Sequence, residues 1–242
     1  MIVALVTPSA LGRPAVLARL RSALSDPESL RLWRVVANDG IIATTGILEG
    51  FAGAGASHRS LLIAATVATI AGMLAAGGAE WAEAAGEREA QLTTAEEEAA
   101  ELARDPEAER AELVAHYEAR GLTPELAREV AQQLMAHDPL AAQLDSEHGI
   151  REVISTYDTV RTGVGSAVAY AVGAAIPLLI TLLVPHQIEK WAIAAAVMVS
   201  LIVTSVVGAR TGHMSVGRTL LRTLAVGAGT MLVSYFVGQL VF

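Results

Sequence analysis

Apolar and charged positions are segregated along this chain into blocks instead of being interleaved at a helix or strand period. Arg59 and Glu80 bracket twenty uncharged residues, SLLIAATVATIAGMLAAGGA. As a helix rising about 1.5 Å per residue, that block crosses a hydrocarbon core about 30 Å thick. Arg161 and Glu189 bracket a second such block, Lys190 and Arg210 a third, and after Arg222 a fourth runs to Phe242. A fifth, VVANDGIIATTGILEGFAGAGAS from Val35 to Ser57, is long and mostly apolar but carries Asp39 and Glu49. A carboxylate near the bilayer centre costs at least about 2.5 kcal/mol, so acids there mark cavities or ion paths. Either both acids lie inside, or Asp39 sits at the water interface and Glu49 alone is inside. The pattern predicts an all-α membrane protein with five transmembrane helices. PAVLARLRSALSDPESLRLWRVV, just before the first span, reads as an amphipathic helix lying along the interface with Trp33 as an anchor.

Between the second and third spans the pattern changes to short helices set off by punctuation. The second span is predicted to continue through EWAEAAGEREAQLTTAEEEAAELAR until Asp105-Pro106, where Asp serves as N-cap and Pro as first helical residue. The next helix runs to about Ala119 and stops at Gly121. Thr123-Pro124 and Asp138-Pro139 then open two more. Leu113, Val114, Tyr117, Leu122, Leu126, Val130, Leu134 and Leu140 are the expected core of this inserted subdomain. The expected organisation is an N-terminal interfacial segment (1–34), two spans (35–85), an acidic helical metal-binding subdomain (86–150) and three spans (151–242).

Charge sharpens this picture. Of 25 Asp and Glu in the chain, 20 fall between Glu80 and Asp158, against 6 Arg and no Lys, a local net charge of −14 before histidine. So dense a negative field concentrates cations. The chain has no cysteine, which excludes thiolate metal sites, disulfides and thiol nucleophiles. Its net charge is −8 and Lys190 is its single lysine, so no nucleic-acid partner is expected. Five spans put the termini on opposite sides. Arg13, Arg19, Arg21, Arg31 and Arg34 before the first span, with Arg210, Arg218 and Arg222 after the fourth, place the N-terminus and the acidic insert in the cytoplasm. The arginine and alanine bias suggests a GC-rich bacterial genome, hence an inner-membrane location.

Two glutamate pairs in the insert have metal-ligand spacing. Glu98 and Glu101 are i, i+3 on one helix, and Glu109 and Glu112 are i, i+3 on the next. Like charges so placed destabilise a helix unless a cation or an arginine compensates them. An antiparallel arrangement brings all four together as oxygen ligands for ions such as Fe²⁺ or Mn²⁺. Met135 and Asp138, again i, i+3, add a thioether and a carboxylate. The plain alternative is a solvated acidic face. A ferritin-like di-iron oxidase would carry Glu-x-x-His, which the insert lacks.

The run NDGIIATTGILEGFAGAGA, the second span ending in AAGGAEW, and the phrase DPEAERAELVAHYEARGLTPELAREVAQQLMAHDPLAAQLDSEHGI resemble the vacuolar iron transporter family over about residues 30–242. The resemblance implies a homodimer with an ion path between protomers and proton-coupled export of Fe²⁺, often Mn²⁺ too, with no organic cofactor and no enzymatic step. It also implies roles for Asp39 in the first span, for Glu98, Glu101, Glu109 and Glu112 as cytosolic metal ligands, and for Met135 and Asp138 beside them. One departure stands out. Where the family commonly has Ser-Met, this chain has Ala75-Ala76, which removes a thioether that favours iron. Met73 lies one turn away.

The expected transport pathway is therefore Asp39, Glu49, Met73 and Glu80, fed from the insert, with Glu49 either relaying ions or protons or held protonated at a helix contact. The rival readings are a membrane-anchored iron sensor or buffer, and the oxidase. Gly46, Gly50, Gly53 and Gly55 permit close helix approach, either at the dimer seam or as packing within the chain.

Overall fold

The computed structural model describes residues 27–185 and 187–241. Among them are eight helices and no strand: α1 (Pro27–Gly53), α2 (His58–Arg104), α3 (Pro106–Ala119), α4 (Pro124–His137), α5 (Pro139–Glu147), α6 (Thr156–Leu183), α7 (Glu189–Thr211) and α8 (Val216–Val241). The first 26 residues, most of the expected interfacial helix, lie outside the described residues. From Pro27 onward that segment is continuous with the first span as α1, with no break at residue 34. Trp33 consequently sits within α1, partly buried against Val36, Ala169, Tyr170 and Ala174.

The punctuation of the insert acts as its chemistry requires. Asp105 Oδ1 accepts from the Ala108 amide at 3.1 Å, Thr123 Oγ1 from Leu126 at 3.4 Å, and Asp138 Oδ1 from Ala141 at 3.0 Å. Each cap satisfies an amide that the first turn leaves without an intrahelical acceptor. α2 holds no proline in its 47 residues, so it runs unbroken from the apolar block into the acidic one.

The chain divides into two compact units, Ala79–Gly163 and the residues on either side of it. In the flanking unit α1 packs on α8 and α7, and α7 on α8. Ile41, Leu48, Leu61, Ala65, Ile193, Val197 and Leu201 form its main core. Among the described residues four helices, α2, α6, α7 and α8, are long and apolar enough to cross a membrane. Their outer faces are also apolar, with Ile63, Val67, Ile70 and Leu74 exposed on α2, and Leu232, Val233, Phe236 and Leu240 on α8. Extended apolar surface of this kind belongs against lipid, and the protein is an all-α membrane protein. α1 has the length but falls outside these four, since Asn38, Asp39, Thr44, Thr45 and Glu49 lower its hydropathy.

The glycines of α1 serve packing within the chain. A Cβ on Gly53 would stand 2.2 Å from the Tyr235 carbonyl oxygen, and one on Gly238 would stand 1.9 Å from that of Gly50. Gly46 likewise faces Thr230 and Ser234, so Gly46, Gly50 and Gly53 bring α1 against α8, Gly40 faces Tyr170 of α6, and a Cβ on Gly55, just past α1, meets nothing.

In the acidic unit α3 packs on α4 and α5, and α4 on α5. Leu113, Ala127, Ala131 and Leu144 are buried. Leu126, expected in this core, is exposed because α4 buries the face of Ala127 and Ala131, one residue around the helix.

Candidate metal centre

Three helices bring together, in the acidic unit, five side chains of the types that ligate metals. Glu98 comes from α2, Glu109 and Glu112 from one face of α3, and Glu147 and His148 from the end of α5. The end of α5 is locally determined. His148 is its C-cap, Gly149 adopts φ +68°, and the Ile150 amide closes back on the Leu144 carbonyl at 2.8 Å. Glycine takes that left-handed conformation without steric penalty. The helix thus ends at Glu147 with His148 as its cap, and the turn sets the backbone that carries both side chains.

The donor atoms form two overlapping groups. Glu98, Glu147 and His148 offer ligand atoms all within 4.8 Å of one another, and so do Glu109, Glu112 and Glu147. Glu147 belongs to both. His148 Nε2 lies 3.3 Å from Glu98 Oε2. Gln143, fully buried, donates its side-chain amide to Glu109 Oε2 at 2.7 Å and to the Glu109 carbonyl at 2.9 Å. Glu98 is 3% exposed, and its Oε1 is buried with no hydrogen-bond partner.

Assembling carboxylates here is electrostatically costly, and their proton affinities register it. Burial pushes the Glu98 carboxyl above its ordinary value. The hydrogen bond from His148 opposes the rise, and Glu109 reinforces it. Burial also raises Glu147, helped by the charges of Glu98, Glu112 and Glu109. A divalent cation would relieve both causes, since it neutralises the like charges and replaces the missing donors. Arginine does not supply that charge. Arg110 pairs with Glu107 and Arg151 with Asp145, and among the described residues no arginine pairs with the five. Carboxylate oxygens with one imidazole suit divalent first-row metals.

The remaining sequence-predicted ligands lie elsewhere. Glu101 is exposed on α2 and belongs to neither group. Met135 is partly buried near the end of α4, and Asp138 is exposed with its carboxylate capping α5. Sequence reasoning missed Glu147, His148 and Gln143. The adjacent Glu147-His148 before Gly149 was a usable signal, but more than thirty residues separate it from Glu112, so no helical spacing connects them.

In the flanking unit Asp39 is exposed on the α1 face that also presents Val35, Ala43 and Ile47. Glu49 is 8% exposed and lines a pocket of about 280 Å³ together with Glu189, Gln187, Leu61 and Ile193. His58 Nδ1 lies 3.1 Å from Glu189 Oε2. Sequence reasoning used Glu189 only to bound a span, although its carboxylate is almost fully buried. Met73 and Ala76 both pack on the cluster of Val36, Ala169, Tyr170 and Ala174. Glu80 is partly buried on α2.

Long apolar helices, together with a unit whose carboxylates and imidazole lie close enough to share a metal ion, define a membrane protein with a candidate metal centre. The chain belongs to the VIT family, which matches residues 35–239. A protein of Acanthamoeba castellanii named vacuolar iron transporter is 34% identical over 223 residues, which cover 91% of this chain and 81% of that protein.

Proposed function

We propose that this protein is a metal-ion transporter that exports Fe²⁺, with Mn²⁺ as a second cargo, from the cytoplasm in exchange for protons. It works as a homodimer with five spans per chain, α1, α2, α6, α7 and α8, and its path runs between the protomers. The acidic unit and the N-terminus face the cytoplasm, across the inner membrane of a bacterial cell. The observation that carries this reading is the convergence of Glu98, Glu109, Glu112, Glu147 and His148 in a unit whose helix α2 also supplies a membrane span. Family membership and the named relative support iron as cargo.

The acidic unit captures the ion, with Glu101, Met135 and Asp138 as further donors of the same unit. The ion then passes to Glu80 and Asp39 and moves outward by way of Met73 and Glu49. An exposed carboxylate on an otherwise apolar α1 face supports a path along that face. An ion and a proton compete for the same carboxylate oxygen, so counter-movement of protons needs no further machinery. No covalent step is involved.

The test is anaerobic Fe²⁺ flux in proteoliposomes under an imposed pH gradient. Asp39→Ala abolishes flux while leaving helix content unchanged. Undiminished flux in that variant removes Asp39 from the path. An intact protein that binds Fe²⁺ but moves none is a membrane-anchored sensor or buffer.

A further inference from the structure

The two ligand groups of the acidic unit differ in chemistry. Glu109, Glu112 and Glu147 offer oxygen only, whereas Glu98, Glu147 and His148 include an imidazole nitrogen. We infer that His148 is a direct metal ligand and makes one of two neighbouring cation positions selective for nitrogen-preferring transition metals, leaving the other a general divalent-cation position. The inference rests on the reading of this unit as metal-binding and adds to it the basis of metal selection.

The spacing at His148 leaves room for a shared ion in place of the His148–Glu98 hydrogen bond. Two donors each about 2.0–2.1 Å from a metal stand roughly 3.0 Å apart at an octahedral angle and roughly 3.4 Å apart at a tetrahedral one. The separation between His148 Nε2 and Glu98 Oε2 is 3.3 Å. Glu98 supplies an independent sign of a missing partner. It is 97% buried by its 3% exposure, yet its Oε1 has no hydrogen-bond donor. A carboxylate oxygen so deeply buried and unpartnered costs free energy that a cation removes. The imidazole is held by helix termination, since the Gly149 turn fixes the backbone that carries it. Its ring is 38% exposed, which leaves an entry route for the ion.

Hard cations such as Ca²⁺ and Mg²⁺ take oxygen ligands, whereas imidazole suits Fe²⁺, Co²⁺ and Zn²⁺. Mn²⁺ gains least from nitrogen among the first-row ions because it stands lowest in the affinity order. One histidine thus separates two cation classes more sharply than an all-carboxylate cluster does.

The experiment uses the full chain in nanodiscs. Binding of Co²⁺, Zn²⁺, Mn²⁺ and Ca²⁺ is measured by calorimetry, and the visible absorption of bound Co²⁺ reports on its ligands. His148→Ala is expected to lower Co²⁺ and Zn²⁺ affinity by about tenfold or more, to change the Co²⁺ spectrum, and to leave Ca²⁺ binding within about threefold. His148→Glu is expected to restore occupancy for Mn²⁺ and Ca²⁺ without restoring the Co²⁺ spectrum. Glu112→Ala, in the oxygen-only group, is expected to weaken Ca²⁺ and Mn²⁺ more than Co²⁺ and Zn²⁺ and to leave the nitrogen-dependent spectral band. An unchanged Co²⁺ spectrum in a folded His148→Ala variant overturns the inference, as does an equal loss of Co²⁺ and Ca²⁺. Flux is not measured here, so the two readings fail separately. Histidine-dependent Co²⁺ binding in a protein that transports nothing sinks the transport proposal alone, and Fe²⁺ transport with histidine-independent binding sinks this one alone.

Discussion

Gln143 holds Glu109 by two hydrogen bonds, from its side-chain amide to the carboxylate at 2.7 Å and to the backbone carbonyl at 2.9 Å, with both residues buried. A neutral amide therefore fixes one acidic ligand without pairing its charge. Replacing Gln143 by Leu keeps the volume but strips Glu109 of its donors, at a cost of about 1–3 kcal/mol. Thermal unfolding of the metal-free protein should show the loss, and calorimetry should show weaker metal binding because Glu109 is no longer oriented. Unchanged stability and affinity would mean that Gln143 is a spectator.

Glu98 and Glu147 are raised above the ordinary glutamate value of 4.5 by burial and by neighbouring carboxylates. Between 4.5 and their shifted values, the folded chain holds protons that the unfolded chain has already released. Stability contributed by these groups therefore falls as pH rises through that window, and above it the penalty is complete. The metal-free acidic unit should accordingly melt at a higher temperature near about pH 5 than near about pH 7.5. Saturating divalent metal should remove or invert the difference, because the cation binds the deprotonated form. Glu98→Gln should flatten the metal-free pH dependence, and a slope unaltered by that change would assign the effect to other groups.

The contact of α1 with α8 makes opposite predictions for two glycines of the same helix. At Gly238 an added Cβ falls 1.9 Å from the Gly50 carbonyl oxygen, whereas at Gly229 it meets nothing within 4 Å. Gly238→Ala should destabilise the protein by about 1–3 kcal/mol through overpacking. Gly229→Ala should stabilise it by about 0.5–1 kcal/mol through reduced chain entropy. Thermal denaturation in detergent reads both signs, and equal effects would refute the close approach of these helices.

Met73 and Ala76 pack on the same cluster around Tyr170, so a thioether at either position occupies one neighbourhood. Met73→Leu preserves volume at a cost below about 1.5 kcal/mol and should lower Fe²⁺ flux more than Mn²⁺ flux, since only the softer ion prefers sulfur. Ala76→Met should raise the Fe²⁺ to Mn²⁺ ratio. Equal changes for both ions would leave Met73 with packing alone.

What the sequence determined by itself is what short-range chemistry controls. Asp105-Pro106, Thr123-Pro124 and Asp138-Pro139 start helices because a side-chain oxygen and a fixed proline φ act within one turn. The run from Arg59 to Arg104 stays helical because no proline interrupts it before Pro106. The apolar blocks announce their lipid-facing surfaces by length alone. Tertiary structure decided which side chains meet. It joined Glu147 and His148 to Glu98, Glu109 and Glu112, left Glu101 outside, committed Asp138 to a helix cap, exposed Leu126, and turned Gly46, Gly50 and Gly53 toward α8. Those outcomes depend on how separate helices rotate and dock, and helical periodicity sets the faces of one helix without stating which face of another it will meet.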